Sequence, residues 1–170
     1  IDNRFISERV NQLRNWNINF VQGDILDKEF ITLHCKNADI VHHLAGITQV
    51  PKVRSEGNDQ INAKIKIIAE EGTQNILDAI PDKCKIIMPS THVVYEGINE
   101  VKKNIEENET TSPILAYAKS KDFNEKQLKE SGKNYVILRL GSVYGYSTDT
   151  MRIDIMPNLF SKIASQNGVL

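Results

Sequence analysis

Lys85-Ile-Ile-Met88, continuing through Pro89 into Ser90-Thr91, is a short apolar run that ends on two hydroxyl side chains. Its length and bulk predict a buried strand. Just upstream, Ile61, Ile65, Ile68, Ile76 and Ile80 recur with a period of about 3.6 residues, the signature of a long amphipathic helix. Before that helix, Ala38-Asp-Ile-Val-His-His-Leu44 predicts another strand, ended by Gly46. Downstream, a helix from about Ala116 to Glu130 leads to a further strand, Tyr135-Val-Ile-Leu138. Further out, Ile18-Asn-Phe-Val21 predicts a strand that stops at Gly23-Asp24. A helix follows it from Asp27, a good N-cap, to Cys35. Phe5, Val10 and Leu13 lie loosely at helical spacing, and a last helix is expected around Pro157 to Ala164. Glu96 to Ser112 is acid-rich and aperiodic, a surface loop. Short apolar strands alternating with helices make this an α/β chain, with a parallel sheet covered on both faces. Residues 1–170 read as one domain.

Composition narrows the classes. With 21 Lys and Arg against 22 Asp and Glu, no basic excess points to nucleic acid or an anionic membrane. No apolar run is long enough to span a bilayer, and no signal peptide opens the chain. Cys35 and Cys84 lack the spacing of a zinc or redox site and read as reduced core thiols of a cytoplasmic protein. Asn108-Glu109-Thr110 matches a glycosylation sequon, which without a secretion signal is chance.

In a parallel α/β sheet, ligands bind beyond the carboxyl ends of the strands. Here those ends are Gly23-Asp24, Ala45-Gly46, Ser90-Thr91 and Gly141-Ser142. Small or hydrogen-bonding residues at all four suggest one elongated cleft. Tyr117 and Lys121, four apart on a predicted helix, project from one face, where an ammonium can lower the pKa of a phenol. A solvated pair on a charged helix is the other reading of these two residues. Thr91 either serves the cleft or caps a turn. His42 and His43 are adjacent on a strand and face opposite sides of the sheet, so they cannot share a metal ion. His92 either meets a substrate or is a loop histidine. No G-x-G-x-x-G loop occurs anywhere in the chain. Asp2 is either the acid that answers a dinucleotide's ribose or the cap of the helix after it.

Six segments, in order, resemble motifs of the extended short-chain dehydrogenase/reductase family, specifically its NAD-dependent epimerase/dehydratases of nucleotide sugars. They are Asp2-Asn3, Val21-Gln-Gly-Asp24-Ile25, His43-Leu44-Ala45-Gly46, Ser90-Thr-His-Val-Val-Tyr95, Pro113-Ile-Leu-Ala-Tyr117-Ala-Lys-Ser-Lys121, and Leu138-Arg-Leu-Gly141-Ser-Val-Tyr-Gly145. The resemblance implies a Rossmann-type doubly wound parallel sheet that is incomplete. The first strand and its glycine loop would be absent, with most of the C-terminal substrate region, so the chain looks like an internal fragment that binds dinucleotide poorly. It implies NAD rather than NADP, held by Asp2, Asn3, Asp24, Ile25, Leu44, Ala45, Gly46, Thr48, Tyr117, Lys121 and Gly141, and no metal. The expected substrate is a nucleotide sugar, and a homodimer is compatible with the resemblance.

The implied chemistry is hydride transfer at a sugar carbon. Tyr117 as phenolate would take the hydroxyl proton, Lys121 would lower its pKa and bind the nicotinamide ribose, and Thr91 would hydrogen-bond the reacting oxygen. Departures from the family pattern narrow the reaction. Dehydratases carry carboxylates just after the threonine, where this chain has His92 and Val93, so dehydration is disfavoured. Glu96 gives V-Y-E-G, closer to the V-F-D-G of keto-sugar reductases, whereas Gly23-Asp24-Ile25 and His43 to Gly46 lean to epimerases. An epimerase is expected first. A reductase using NAD(P)H stoichiometrically and a non-catalytic dinucleotide-binding relative are the alternatives. The family's asparagine before Gly72-Thr73 is unmatched.

Overall fold

The fold was taken from a computed structural model. It describes residues 3–48, 59–146, 153, 155–166 and 168–169, with the side chains of 3–8 left aside. The chain divides into two compact units, Asp24–Gly141 and a smaller one of Ile1–Gly23 with Ser142–Leu170.

The larger unit holds three parallel strands: β1 (Ile40–His42), β2 (Lys85–Thr91) and β3 (Asn134–Leu140), in the spatial order β1-β2-β3. In β1–β2, His42 pairs with Ile87; in β2–β3, Ser90 pairs with Arg139. The crossovers are α3 (Asp59–Ala79) between β1 and β2, and α4 (Ala116–Glu130) between β2 and β3; α2 (Lys28–Cys35) precedes β1. A parallel crossover is right-handed almost without exception, so strands added in one direction put their helices on one face. Ile86, Met88 and Leu128 accordingly lose all exposure, packed with Ile76, Leu77, Ile80 and Cys84 against Ile31 and Cys35 of α2. Each of the large apolar side chains is worth about 1.5–3 kcal/mol on burial. The unit is thus the singly progressing half of a doubly wound order, a Rossmann-type α/β arrangement. Val136, Leu138 and Leu140 of β3, on the other face, are exposed, in keeping with an incomplete doubly wound sheet.

Local sequence explains where the helices start and stop. Asp27 caps α2, its Oδ1 accepting from Phe30 N at 2.9 Å. Pro81, just past α3, cannot continue a helix. Gly132, at φ +68°, takes the left-handed conformation that terminates α4. Loop 96–112, expected to be irregular, begins after a short 3-10 helix, η1 (His92–Tyr95).

The smaller unit contains α1 (Asn3–Asn15) and α5 (Met156–Ser165). Asn17, φ 58°, two residues past α1, terminates it, with Ile18 N donating to Leu13 O. Pro157 opens α5, the place where its missing N–H costs nothing. The strand expected at Ile18–Val21 does not form; these residues are coil, and Ile18, Phe20 and Val21 are exposed. A strand exists only through a hydrogen-bonded neighbour, and no strand among the described residues pairs with Ile18–Val21.

One buried ion pair fastens α4 to the sheet. Glu125, 1% exposed, receives Arg139 Nε and Nη2 at 2.9 and 2.6 Å and the Ser90 hydroxyl at 2.6 Å. Burial alone would raise the carboxyl's pKa, but the Arg139 and Ser90 hydrogen bonds outweigh it and hold Glu125 below its ordinary value. Glu125→Ala therefore strands a guanidinium and is expected to cost about 3–5 kcal/mol in urea denaturation. Glu125→Leu combined with Arg139→Met should cost less than Glu125→Ala alone. A double variant that is the worse of the two would show that the charge pair is not what this site needs.

Candidate functional site

The site lies at the carboxyl edge of the three strands. β2 ends on Thr91, which is buried, and its Oγ1 accepts from Val93 N at 3.3 Å, capping η1. Of the two readings of Thr91 the cap is therefore present, and it fixes the hydroxyl at the strand end. Tyr117 is the second residue of α4 and half-buried; Lys121 follows one turn on. The Lys121 side chain is partly buried. It donates to Pro89 O at 2.9 Å, two residues before Thr91, and desolvation pulls its pKa below the ordinary lysine value.

A second buried polar chain runs beside it. His43, at the end of β1, is 3% exposed, and its Nε2 lies 2.8 Å from Thr73 Oγ1 on α3. Thr73 Oγ1 also accepts from Asn124 Nδ2 of α4 at 2.9 Å, and Asn124 reaches Ala69 O at 2.8 Å. Burial, then the nearby Lys121 charge, lowers the His43 pKa to about 4, so the ring is neutral at pH 7. Among the described residues, buried His43 Nδ1 has no hydrogen-bond partner. His42 is exposed where His43 is buried, as the alternation of a strand requires.

The remaining sequence-predicted positions fall as follows. Asp24 is exposed and its Oδ1 accepts from Leu26 N at 3.0 Å, while Ile25 packs on the core and its carbonyl accepts from Asn75 Nδ2 at 3.1 Å. Leu44, Ala45, Gly46 and Thr48 follow β1, and Gly141 follows β3; all five are exposed at the same edge. A Cβ added at Gly46 or Gly141 would meet nothing within 4 Å, so the space in front of both is open. Asp2 lies outside the described residues, and of Asn3 only its place at the start of α1 is described. His92 Nδ1 lies 3.1 Å from Leu140 O and ties the ends of β2 and β3 together. A carbonyl only accepts, so Nδ1 carries the proton.

Sequence reasoning missed Thr73, Asn124 and Glu125 as parts of this framework and saw Ser90 only as a strand end. The signal was present only in part. Gly72-Thr73 stood out as a dipeptide, and Gly72 proves necessary because a Cβ there would come within 2.9 Å of the Ile25 side chain.

Residues 7–165 match the family described as the RmlD substrate binding domain. Among solved structures, a UDP-glucuronic acid 4-epimerase mutant of Bacillus cereus, bound to UDP-4-deoxy-4-fluoro-glucuronic acid and NAD, is 25% identical with a TM-score of 0.74. The match covers 96% of this chain and 51% of that one. The UDP-glucose 4-epimerase of Brucella ovis, in complex with NAD, is 27% identical with a TM-score of 0.64, over 82% of this chain and 44% of that one. A curated relative, the 3beta-hydroxysteroid-dehydrogenase/decarboxylase isoform 2 of Arabidopsis thaliana, is 26% identical over 143 residues, 78% of this chain and 24% of that protein. The chain thus spans about a quarter of the curated relative and about half of each solved one. No described helix is long and apolar enough to cross a membrane.

The His43 environment has a pH consequence. Its folded pKa, about 4, lies below the unfolded value of 6.5, so the unfolded chain binds the proton more readily. The stability this contributes is complete above pH ~6.5 and is lost as pH falls towards ~4. Between pH 7 and pH 5, above the ordinary carboxylate range, the loss should be about 2 kcal/mol by urea denaturation. His43→Gln should remove most of that slope; an unchanged slope in the variant would place the titration elsewhere.

Proposed function

Since the chain belongs to the family of the RmlD substrate binding domain, we propose that it carries the catalytic residues of an NAD-dependent oxidoreductase acting on a nucleotide sugar. The reaction we favour is epimerisation by hydride transfer, with Thr91, Tyr117 and Lys121 as the site. The single observation that carries this reading is the desolvated Lys121 ammonium. It is held on Pro89 O beside Thr91, and it shares one face of α4 with Tyr117. A solvated pair on a charged helix, the competing reading, would leave that ammonium in water. Two epimerases of nucleotide sugars, both solved with NAD, support the choice of substrate and cofactor.

The residues present fit part of the dinucleotide. Exposed Leu44, Ala45, Gly46, Thr48 and Gly141, with open space before both glycines, would border its ribose and nicotinamide, and Asp24 and Ile25 its adenine. Asp2 and Asn3 are proposed for the adenine ribose. The glycine loop that cradles a diphosphate does not occur in this sequence. Bound NAD would supply a hydride acceptor able to return the hydride to either face of a ketose. Tyr117, as phenolate, takes the proton of the sugar hydroxyl. Lys121 stabilises that phenolate and donates to the ribose hydroxyls. Thr91 holds the reacting oxygen at a fixed distance from the phenol.

A second reading, stoichiometric reduction of a keto-sugar by NAD(P)H, is favoured by Glu96 in V-Y-E-G. Dehydration is disfavoured, because His92 and Val93 stand where carboxylates would follow Thr91.

The gene's full product, supplied with UDP-glucose and catalytic NAD, should form UDP-galactose without consuming NADH. Tyr117→Phe should lower kcat by roughly 100-fold or more while cofactor binding persists. Net oxidation of NADH by a keto-sugar nucleotide would select the reductase. A fully active Tyr117→Phe enzyme would remove Tyr117 from the mechanism.

A further inference from the structure

α4 begins without a cap of its own. Its N-cap, Leu115, has no side-chain acceptor, and its first turn contains no acidic residue. Four N–H groups at a helix start need partners, and a negative charge there is favourable. The missing acceptor comes from the far side of loop 96–112. Glu96 Oε1 accepts from Ile114 N at 2.8 Å and from Leu115 N at 2.6 Å. Both are charge-assisted bonds to backbone, stronger than neutral ones.

Glu96 does not act alone. Ser112 N donates to Val94 O at 2.8 Å, and Gly97 N donates to Ser112 O at 2.8 Å. The two strands of chain run so close that a Cβ at Gly97 would stand 2.5 Å from Ser112 O, a backbone atom that cannot swing aside. Four hydrogen bonds thus clamp residues 94–97 to residues 112–115. One end of the clamp is η1, whose cap is Thr91; the other is the first turn of α4, where Tyr117 is the second residue. Further along α4, Lys121 on Pro89 O and Glu125 on Ser90 fasten the helix to β2.

We propose that Glu96 is a positioning residue: by holding the start of α4 against the end of η1 it sets where the Tyr117 phenol stands relative to the Thr91 hydroxyl. This rests on the assignment of Thr91 and Tyr117 as catalytic. It gives the V-Y-E-G sequence a geometric purpose that does not depend on whether the enzyme epimerises or reduces. Glu96 touches neither substrate nor cofactor in this role, so its removal acts on the chemical step rather than on binding. A displacement of about 1 Å between reacting groups can cost up to 100-fold in rate.

The test uses Glu96→Ala and Glu96→Gln in the gene's full product, with Tyr117→Phe as reference. Glutamine keeps an oxygen that accepts from both amides; alanine keeps none. Glu96→Ala should lower kcat by roughly 10- to 100-fold, with KM for the nucleotide sugar and the NAD Kd within about threefold of wild type. Glu96→Gln should restore kcat to within about threefold, because position rather than charge is what matters. Wild-type kcat in Glu96→Ala would overturn the proposal. So would a Glu96→Gln enzyme as slow as the alanine variant, or a KM that rises in step with the fall in kcat. If Glu96→Ala melts below the assay temperature, all variants are assayed at a lower temperature at which it stays folded, and the same comparison of kcat in Glu96→Ala and Glu96→Gln decides. An active Tyr117→Phe enzyme would overturn the catalytic reading itself. An inactive Tyr117→Phe enzyme beside a fully active Glu96→Ala enzyme would sink only the clamp.

Discussion

The carboxylate of Glu125 is almost wholly removed from water, and everything near the site is arranged so that it is answered. Arg139 of β3 supplies a forked guanidinium, and Ser90 of β2 a hydroxyl. Arg139 reaches further, donating to the Tyr95 hydroxyl and, at 2.9 Å, to Glu107 O. One ion pair therefore joins α4, two strands, η1 and the long loop. Buried pairs are weak sources of net stability but demanding about geometry, since a poorly placed partner leaves a charge stranded. Because Glu125 follows Lys121 and Tyr117 at intervals of four, that demand is passed along one face of α4 to those two residues.

The same helix is held to α3 by uncharged groups. Asn124 and Thr73 tie α4 to α3 and to His43 of the β1 end. The charged and neutral networks lie on adjacent residues of α4, 124 and 125, and so fix the helix about its own axis as well as against the sheet. Rotation of α4 by a fraction of a turn would break both. Such cross-bracing fixes the orientation of α4 in a way that further apolar burial alone would not.

Much of the frame was readable because it is local. The isoleucine stripe of α3 does face the core at Ile65, Ile76 and Ile80, and Asp27 does cap α2. The strands around Ile40, Lys85 and Tyr135 form in parallel as their spacing by helices requires. Ile18–Val21 shows the limit of local reading, since alternation cannot say whether a pairing neighbour exists. The brackets of the site were less legible still. Ser90 and Glu125 are 35 residues apart, and His43 and Thr73 30, so only the folded chain reveals that they meet. Glu96 was visible as an oddity of sequence, but its partners are main-chain amides, which leave no trace in residue identity. The motif residues Thr91, Tyr117 and Lys121 were found through resemblance, and their placement along one strand end and one helix face accords with it without testing it.

Cys84 sits at the foot of β2 with no exposed surface, and burial pushes its thiol pKa upward. A thiolate is the reactive form, so an alkylating reagent can take hold of this sulfur only when the core around Ile86 and Leu128 parts. The protein thus contains its own stopwatch. The pace at which Cys84 is labelled reports how often the sheet and its helices come apart, and no probe need be engineered in. Cys35, partly exposed on α2, provides the faster hand against which that pace is read.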